Sequence, residues 1–124
     1  MQLTKNFHIS EFACKDNTAV PPELMPNVKK LADQLQVIRD TIGAPLYISS
    51  SYRTPSHNKA VGGAKNSQHL QAKAADISIN GKTPKQLARI IEKLIAEGKI
   101  SIKGVGVYPG FVHVDIRSGK AARW

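Results

Sequence analysis

Three side chains that commonly bind metal ions lie in two short segments of this sequence. His69 and Asp76 stand seven positions apart within residues 67–76, and His113 lies within residues 111–115. Two imidazoles and one carboxylate leave the fourth position of a tetrahedral zinc ion open for water, as in catalytic zinc sites. Water bound in this way ionises near neutral pH and becomes a nucleophile. The pattern predicts a catalytic Zn²⁺ centre formed by His69, Asp76 and His113.

Alternating apolar residues indicate that two of these ligands lie on strands. Residues 74–79 are predicted as one strand, with Asp76 on the face opposite its isoleucines. Residues 104–108 and 111–116 are predicted as two strands of a tight hairpin. The valines of the second hairpin strand form its core face, so His113 and Asp115 point the other way. We expect Asp76 and His113 to share one face of a sheet, with His69 arriving from the preceding loop.

Helical periodicity and one more strand complete the predicted scaffold. Apolar residues recur at steps of three and four over residues 22–42, and again after a Thr83 cap in a helix that stops at Gly98. Residues 45–52 are predicted as a strand that delivers Arg53 to its end, and a short turn or helix is expected after Ser10 as its cap. The predicted fold class is α+β: a single domain over residues 1–124, with helices packed on a small, mainly antiparallel sheet and the zinc site at the sheet cleft.

Composition limits the classes of function. An apolar fraction of 41% and a charged fraction of 22% are typical of a soluble globular domain. No apolar run approaches the ~18 residues of a membrane span, and no secretory signal is visible, so we expect synthesis in the cytoplasm without a signal peptide.

The net charge of +9 favours an anionic partner such as a cell-wall polymer. The basic residues are dispersed and aromatic residues are few, which argues against a dedicated nucleic-acid module. The single cysteine, Cys14, is predicted to be a small buried residue, and we expect a monomer.

Several short motifs together resemble one known family. They are Arg53, Val61-Gly62-Gly63-Ala64, Ser67-Gln68-His69, Ala74-Ala75-Asp76-Ile77 and Phe111-Val112-His113-Val114-Asp115-Ile116-Arg117. The combination resembles the zinc D-alanyl-D-alanine carboxypeptidase family and its phage endolysin relatives. With Asn6-Phe7 and Ser10-Glu11-Phe12 included, the resemblance covers nearly the whole chain.

The resemblance implies roles for individual residues. His69, Asp76 and His113 would bind zinc, and Arg53 would bind substrate or stabilise the oxyanion. Ser67 would line the same site. Independently of the resemblance, Tyr52 and Tyr108 are expected either to frame the cleft or to pack, and Tyr52 is the one predicted to contact substrate. The substrates would be peptidoglycan stem peptides that contain D-residues.

Two positions depart from the family pattern. Ala72 stands where the family commonly has glycine, which matters only if that backbone needs a positive φ. Residues 110–112, just before His113, lack the histidine or acidic residue that many relatives place there. Asp115 is therefore the candidate for general base or, alternatively, for the hydrogen-bonding partner of a zinc-bound histidine. The sequence leaves both roles open.

The sequence predicts a zinc peptidase that cuts peptidoglycan peptides, as a carboxypeptidase or an endopeptidase. A cell-wall lysis enzyme of phage type, released through a membrane lesion, would suit the chain's size and missing signal. The main alternative is a non-catalytic peptidoglycan-binding module of the same fold, since the usual base is missing. A second alternative is a small basic nucleic-acid-binding protein, whose binding would depend strongly on salt.

Overall fold

The sheet places the two predicted ligand strands side by side at its centre. A computed structural model describes all residues, 1–124. The strands are β1 (Tyr47–Ser50), β2 (Ala74–Ser78), β3 (Gly104–Val107), β4 (Val112–Asp115) and β5 (Ala122–Arg123). Their order is β1-β2-β4-β3-β5, and every neighbouring pair is antiparallel except β3 and β5. This single domain of helices on a mostly antiparallel sheet confirms the predicted α+β class.

The register between β2 and β4 brings the two sequence segments together. Asp76 pairs directly with His113, and Ala74 pairs with Asp115. Side chains at directly opposite positions project from the same face of the sheet at a separation of about 5 Å between Cβ atoms. The backbone pairing alone therefore sets Asp76 beside His113, although 37 positions separate them in the chain.

Two long helices contribute buried residues to the core on the apolar face of the sheet, and one short helix lies against the 3₁₀ turn Gln68–Gln71. They are α1 (Met25–Ile42), α2 (Pro55–Ala60) and α3 (Pro84–Ala96). Helix α1 ends at Gly43, whose φ of 72° is the left-handed conformation that glycine adopts at little cost. Helix α3 begins with the predicted capping box, in which Thr83 and Gln86 each accept a backbone N–H of the other. No helix has the length and apolar character needed to cross a membrane.

The core combines one stripe from each long helix with the apolar face of β2, β3 and β4. All its members are buried, and they include Val28, Leu31, Leu35, Ile38, Leu87, Ile91, Leu94, Ala75, Ile77, Val105, Val112 and Val114. Strand residues alternate between two faces, so this core face turns Asp76, His113 and Asp115 toward the opposite side. Cys14 is also buried, as predicted.

The prediction that Ser10 caps the first helical turn was wrong. The turn is a 3₁₀ helix over Ile9–Phe12, and its cap is His8, whose ring nitrogen accepts the Ser10 backbone N–H. Glu11 completes a capping box by accepting the His8 backbone N–H at 2.9 Å. An imidazole is an unusual capping group, so the common preference for serine pointed two residues too far along the chain.

Candidate active site

The three predicted ligands converge on one carboxylate oxygen. Asp76 Oδ1 lies 3.2 Å from His69 Nε2 and 3.2 Å from His113 Nδ1. The two imidazole rings meet edge to face, with their centroids 5.2 Å apart. All three residues are buried, with 2%, 5% and 8% of the surface exposed for His69, Asp76 and His113. Their donor atoms form a group in which a metal ion could be held.

A 3₁₀ turn presents His69 to this group. The turn covers Gln68–Gln71, and its cap is Ser67, whose hydroxyl accepts the His69 backbone N–H at 3.1 Å. Ala72 ends the turn in the left-handed conformation with φ of 55°, so this position does need the positive φ that favours glycine. On the imidazole, Nδ1 lies 2.6 Å from the carbonyl oxygen of Ser51. Because a carbonyl can only accept, His69 carries its proton on Nδ1 and directs the lone pair of Nε2 at Asp76.

Asp115 fixes the second imidazole in the same way. His113 Nε2 lies 2.7 Å from Asp115 Oδ2, so His113 donates its Nε2 proton there and directs Nδ1 at Asp76. Asp115 has no exposed surface. The guanidinium of Arg117 makes a bidentate contact with this carboxylate. Its Nε donates to Oδ1 at 2.8 Å, and its Nη2 donates to Oδ2 at 2.7 Å. Of the two roles that the sequence left open for Asp115, these contacts favour the partner of His113.

Electrostatics keep both buried carboxylates ionised. In the metal-free protein, burial acts to raise the pKa of Asp76, but hydrogen bonds from His113 and His69, formed when the ring nitrogen that faces the carboxylate carries a proton, outweigh it and lower the pKa to about 2. Burial likewise opposes the charge on Asp115, while hydrogen bonds from Arg117 and His113 hold its pKa well below the usual range. Burial lowers the pKa of His113, yet the hydrogen bonds to Asp115 and Asp76 raise it overall. Each buried carboxylate is therefore ionised and faces both an imidazole and an arginine.

The donor set fits a zinc ion. In the neutral form of each imidazole, the nitrogen that faces Asp76 has a lone pair rather than a proton, because the other nitrogen is already the donor. Two lone pairs and an ionised oxygen at 3.2 Å repel one another unless a cation lies among them. A divalent ion with a preference for nitrogen and oxygen ligands satisfies all three at once.

Arg53 reaches the same carboxylate from the end of β1. Its Nη2 donates to Asp76 Oδ2 at 3.4 Å, while Nε donates to Ser50 Oγ and Nη1 to Asn58 Oδ1, each at 3.2 Å. A guanidinium has five N–H groups, so these three bonds leave one on each terminal nitrogen. Arg53 is thus held rigidly with two donors available toward the cleft.

A cleft of about 490 Å³ opens over the triad. Its lining includes the three triad residues, Arg53, Ser67 and the glycine-containing segment 61–64. Asp76 is the only carboxylate in the lining. The predicted proton acceptor Asp115 is not part of it.

Tyr52, predicted to contact substrate, does not line the cleft. Its side chain is 7% exposed and packs in the hydrophobic core. Tyr52 lies beyond the end of β1, and its backbone N–H donates to the carbonyl oxygen of Phe12 at 3.0 Å, which holds it against the buried N-terminal segment. This placement corrects the prediction for Tyr52.

An aromatic wall lies beside the triad, and its Trp124 was not foreseen from the sequence. Tyr108 and Phe111 stack with their centroids 4.6 Å apart, and Tyr108 accepts a hydrogen bond from Trp124 Nε1 at 2.7 Å. The Trp124 ring lies 5.0 Å from the His113 ring, and the Arg117 guanidinium lies over it at 5.3 Å. The two-residue strand β5 positions Trp124 by pairing with β3. A strand of that length leaves no periodic signal in a sequence.

We expect Gly106→Ala to expel Trp124 from the wall. A Cβ atom at Gly106 would lie 2.5 Å from the indole, and Trp124, already 48% exposed, can yield by moving into solvent. Trp124 is the only tryptophan, so its fluorescence emission should shift to the red. Gly110→Ala is the matched control, because nothing lies within 4 Å of a Cβ there. Identical spectra for Gly106→Ala and the unmodified protein would contradict the placement of Trp124.

Of the comparisons with known proteins, the match to a family model agrees with this geometry. A comparison with curated proteins found no match. The sequence model of the family described as Peptidase M15 matches residues 5–115, which include all three triad residues and Asp115 but neither Arg117 nor Trp124. A match over that much of the chain confirms the resemblance seen in its motifs and implies a zinc metallopeptidase. The chain belongs to the Peptidase M15 family, the family of zinc D-alanyl-D-alanine carboxypeptidases.

Proposed function

We propose that residues 1–124 form a single zinc peptidase domain that hydrolyses peptide bonds in peptidoglycan stem peptides or cross-bridges. The observation that carries this proposal is the arrangement at Asp76, where one carboxylate oxygen lies 3.2 Å from a ring nitrogen of each histidine. Both rings are turned so that their lone pairs face that oxygen. Family membership supports the same class of reaction.

In this proposal His69, Asp76 and His113 bind the zinc ion. Zinc, when bound, supplies Lewis acidity that activates water and polarises the carbonyl of the scissile bond. The Nδ1 proton of His69, held by Ser51, and the Nε2 proton of His113, held by Asp115, keep the two rings in the orientation that binding requires. Asp115 is therefore proposed as a positioning residue.

Arg53 is proposed to bind the substrate. Its two unused N–H groups point from a guanidinium that Ser50, Asn58 and Asp76 hold in place. Such a group can bind a carboxylate of a stem peptide or the oxyanion that forms at the attacked carbonyl. Ser67 lines the same cleft and is proposed to contact the substrate. The net charge of +9 would favour retention on anionic cell-wall polymers during lysis.

One observation favours a second candidate, a peptidoglycan-binding module that does not cut. The cleft contains no carboxylate besides Asp76 and no histidine besides His69 and His113. A peptidase that uses a separate general base would need such a group within hydrogen-bonding reach of the water. A binding module would not.

Mass spectrometry of muropeptide digests separates the two candidates. We expect the zinc-loaded protein to shorten stem peptides or split cross-bridged dimers, and we expect a chelator to abolish the products. The masses of the products would also identify the bond. Unchanged muropeptides, together with retained binding to them, would support the binding module and contradict the peptidase.

A further inference from the structure

A second group of metal-binding side chains lies outside the cleft. The sulfur of Cys14, a carboxylate oxygen of Asp16 and a ring nitrogen of His57 all lie within 4.8 Å of one another. None of these residues lines the cleft. Cys14 and Asp16 come from the N-terminal segment, whereas His57 comes from α2. We propose that Cys14, Asp16 and His57 form a second metal site that binds a zinc-class divalent ion.

A single hydroxyl group organises the three residues. Thr54 Oγ1 donates to Asp16 Oδ2 at 2.8 Å and accepts the backbone N–H of His57 at 3.1 Å as the cap of α2. The same oxygen lies 3.9 Å from Cys14 Sγ. Partners that hold the ligands in place are a regular feature of metal sites. The spacing of the group is therefore set before any ion binds.

The donor atoms have capacity left for a ligand. Neither ring nitrogen of His57 makes a hydrogen bond, since only its backbone N–H is engaged. Cys14 is 3% exposed, and its thiol lies near the Thr54 hydroxyl and the Asp16 carboxylate, so the sulfur keeps lone pairs free for a metal ion. Hydrogen bonds from Thr18, Thr54 and Cys14 hold the pKa of Asp16 well below its usual range, so its carboxylate is ionised. Each of its oxygens still has a free lone pair.

The mixture of sulfur, nitrogen and oxygen selects the class of metal. Thiolate and imidazole suit zinc and cobalt, whereas magnesium and calcium prefer oxygen ligands alone. Bonds of about 2.3 Å to sulfur and about 2.0 Å to nitrogen or oxygen place the donor atoms of a tetrahedral site roughly 3.5 Å apart. Small side-chain rotations bring the group to that spacing. The thiol proton leaves to solvent on binding, and water occupies the fourth position.

A metal ion in this site would brace the active cleft. Helix α2 follows Arg53 directly, and its Asn58 accepts the hydrogen bond from Arg53 Nη1 at 3.2 Å. The segment after α2 contributes residues 61–64 to the cleft lining. A metal ion that links His57 to the N-terminal segment would restrict the motion of α2 and of residues 61–64. The role inferred for this second site is structural.

Cobalt absorption tests the site by itself. Cys14 is the only cysteine, and the triad has no sulfur ligand, so a thiolate-to-cobalt charge-transfer band in the near ultraviolet reports this site alone. We expect the band in the unmodified protein and in Asp76→Asn, which lacks a complete triad. Cys14→Ser should lose the band and bind one zinc ion fewer per chain. His57→Gln should weaken cobalt binding by about tenfold or more.

Lys59→Gln is the matched control, since Lys59 is an exposed residue of the same helix as His57 and lies outside the group. An absent band in folded, reduced protein at saturating cobalt would overturn the second site. A His57→Gln variant that binds cobalt as tightly as the unmodified protein, or a Lys59→Gln variant that is weakened as much as His57→Gln, would also overturn it. Because the band is also measured in Asp76→Asn, which lacks a complete triad, a result against the second metal site is distinguishable from a result against the proposed peptidase.

Discussion

Asp76→Asn is expected to abolish zinc binding at the triad and with it the peptidase activity. The substitution is nearly isosteric, but the amide has no charge with which to hold a divalent ion between two imidazoles. Asp76 Oδ1 is the one atom that both histidines face, so no other side chain can replace it. The expected loss in kcat/KM is on the order of a thousandfold, or about 4 kcal/mol of transition-state stabilisation. Metal analysis and muropeptide digestion measure the two effects.

Asp33→Asn provides the control for that experiment. Asp33 is an exposed residue of α1 whose carboxylate pairs with Lys29 on the same helix. Exposed pairs of this kind contribute little, so zinc content and activity should not change. Full zinc content and activity in Asp76→Asn would contradict the proposed ligand set.

The same variant should alter the pH dependence of the metal-free protein. The pKa of Asp76 falls from 3.8 to about 2 on folding, so its contribution to stability is present above about pH 4 and is lost as the pH falls toward 2. The raised pKa of His113 acts in the opposite sense, because its contribution is lost as the pH rises through and above 6.5. Denaturant unfolding with a chelator present should show highest stability between these limits. In Asp76→Asn the stability should depend less on pH at both the acidic and the neutral end. The lost carboxylate is the group that titrates at low pH, and it also helps to raise the pKa of His113.

Asp115→Asn is expected to weaken zinc binding rather than to remove a proton acceptor. The amide cannot accept both the His113 and the Arg117 hydrogen bonds, so the imidazole loses its fixed orientation. Loss of such a partner typically costs 10- to 100-fold in metal affinity, or roughly 1.4–2.7 kcal/mol. Leaving the Arg117 charge unpaired should also lower the free energy of unfolding by about 3 kcal/mol. Competition with a chelator and denaturant unfolding measure these two quantities.

A general base would behave differently at this position. Zinc affinity would then be unchanged in Asp115→Asn, and kcat alone would fall at saturating zinc. Arg117→Lys gives a graded comparison, because the ammonium keeps the charge but not the two parallel hydrogen bonds. Its zinc affinity should lie between those of the unmodified protein and Asp115→Asn. An affinity below that of Asp115→Asn would argue against the positioning role.

The triad could be anticipated because it depends on local rules. Strand alternation predicted which face Asp76 and His113 share, and the hairpin signal at Pro109-Gly110 predicted the strand that bears His113. The antiparallel register of β2 and β4 then confirmed the shared face. The assignment of these residues as zinc ligands stays a prediction until a metal is measured.

The residues that the sequence did not place correctly depend on contacts between distant segments, which no local rule encodes. Tyr52 was misplaced because its backbone is held by Phe12 of the N-terminal segment, 40 residues earlier in the chain. Trp124 was overlooked because its position follows from a parallel pairing with a strand far back in the sequence. The contact of Cys14 and Asp16 with His57 likewise joins segments about 40 residues apart. Tertiary packing, rather than periodicity, decides all of these.

Two glycines of β3 extend what counts as a functional residue in this protein. A side chain at Gly104 would collide with the carboxylate of Asp115, and one at Gly106 would collide with the indole of Trp124. Neither glycine carries a group that could bind, donate or react. Both positions nevertheless serve the site, because the space they leave is what the neighbouring side chains occupy. At these two positions the absence of a side chain is itself a structural part of the site.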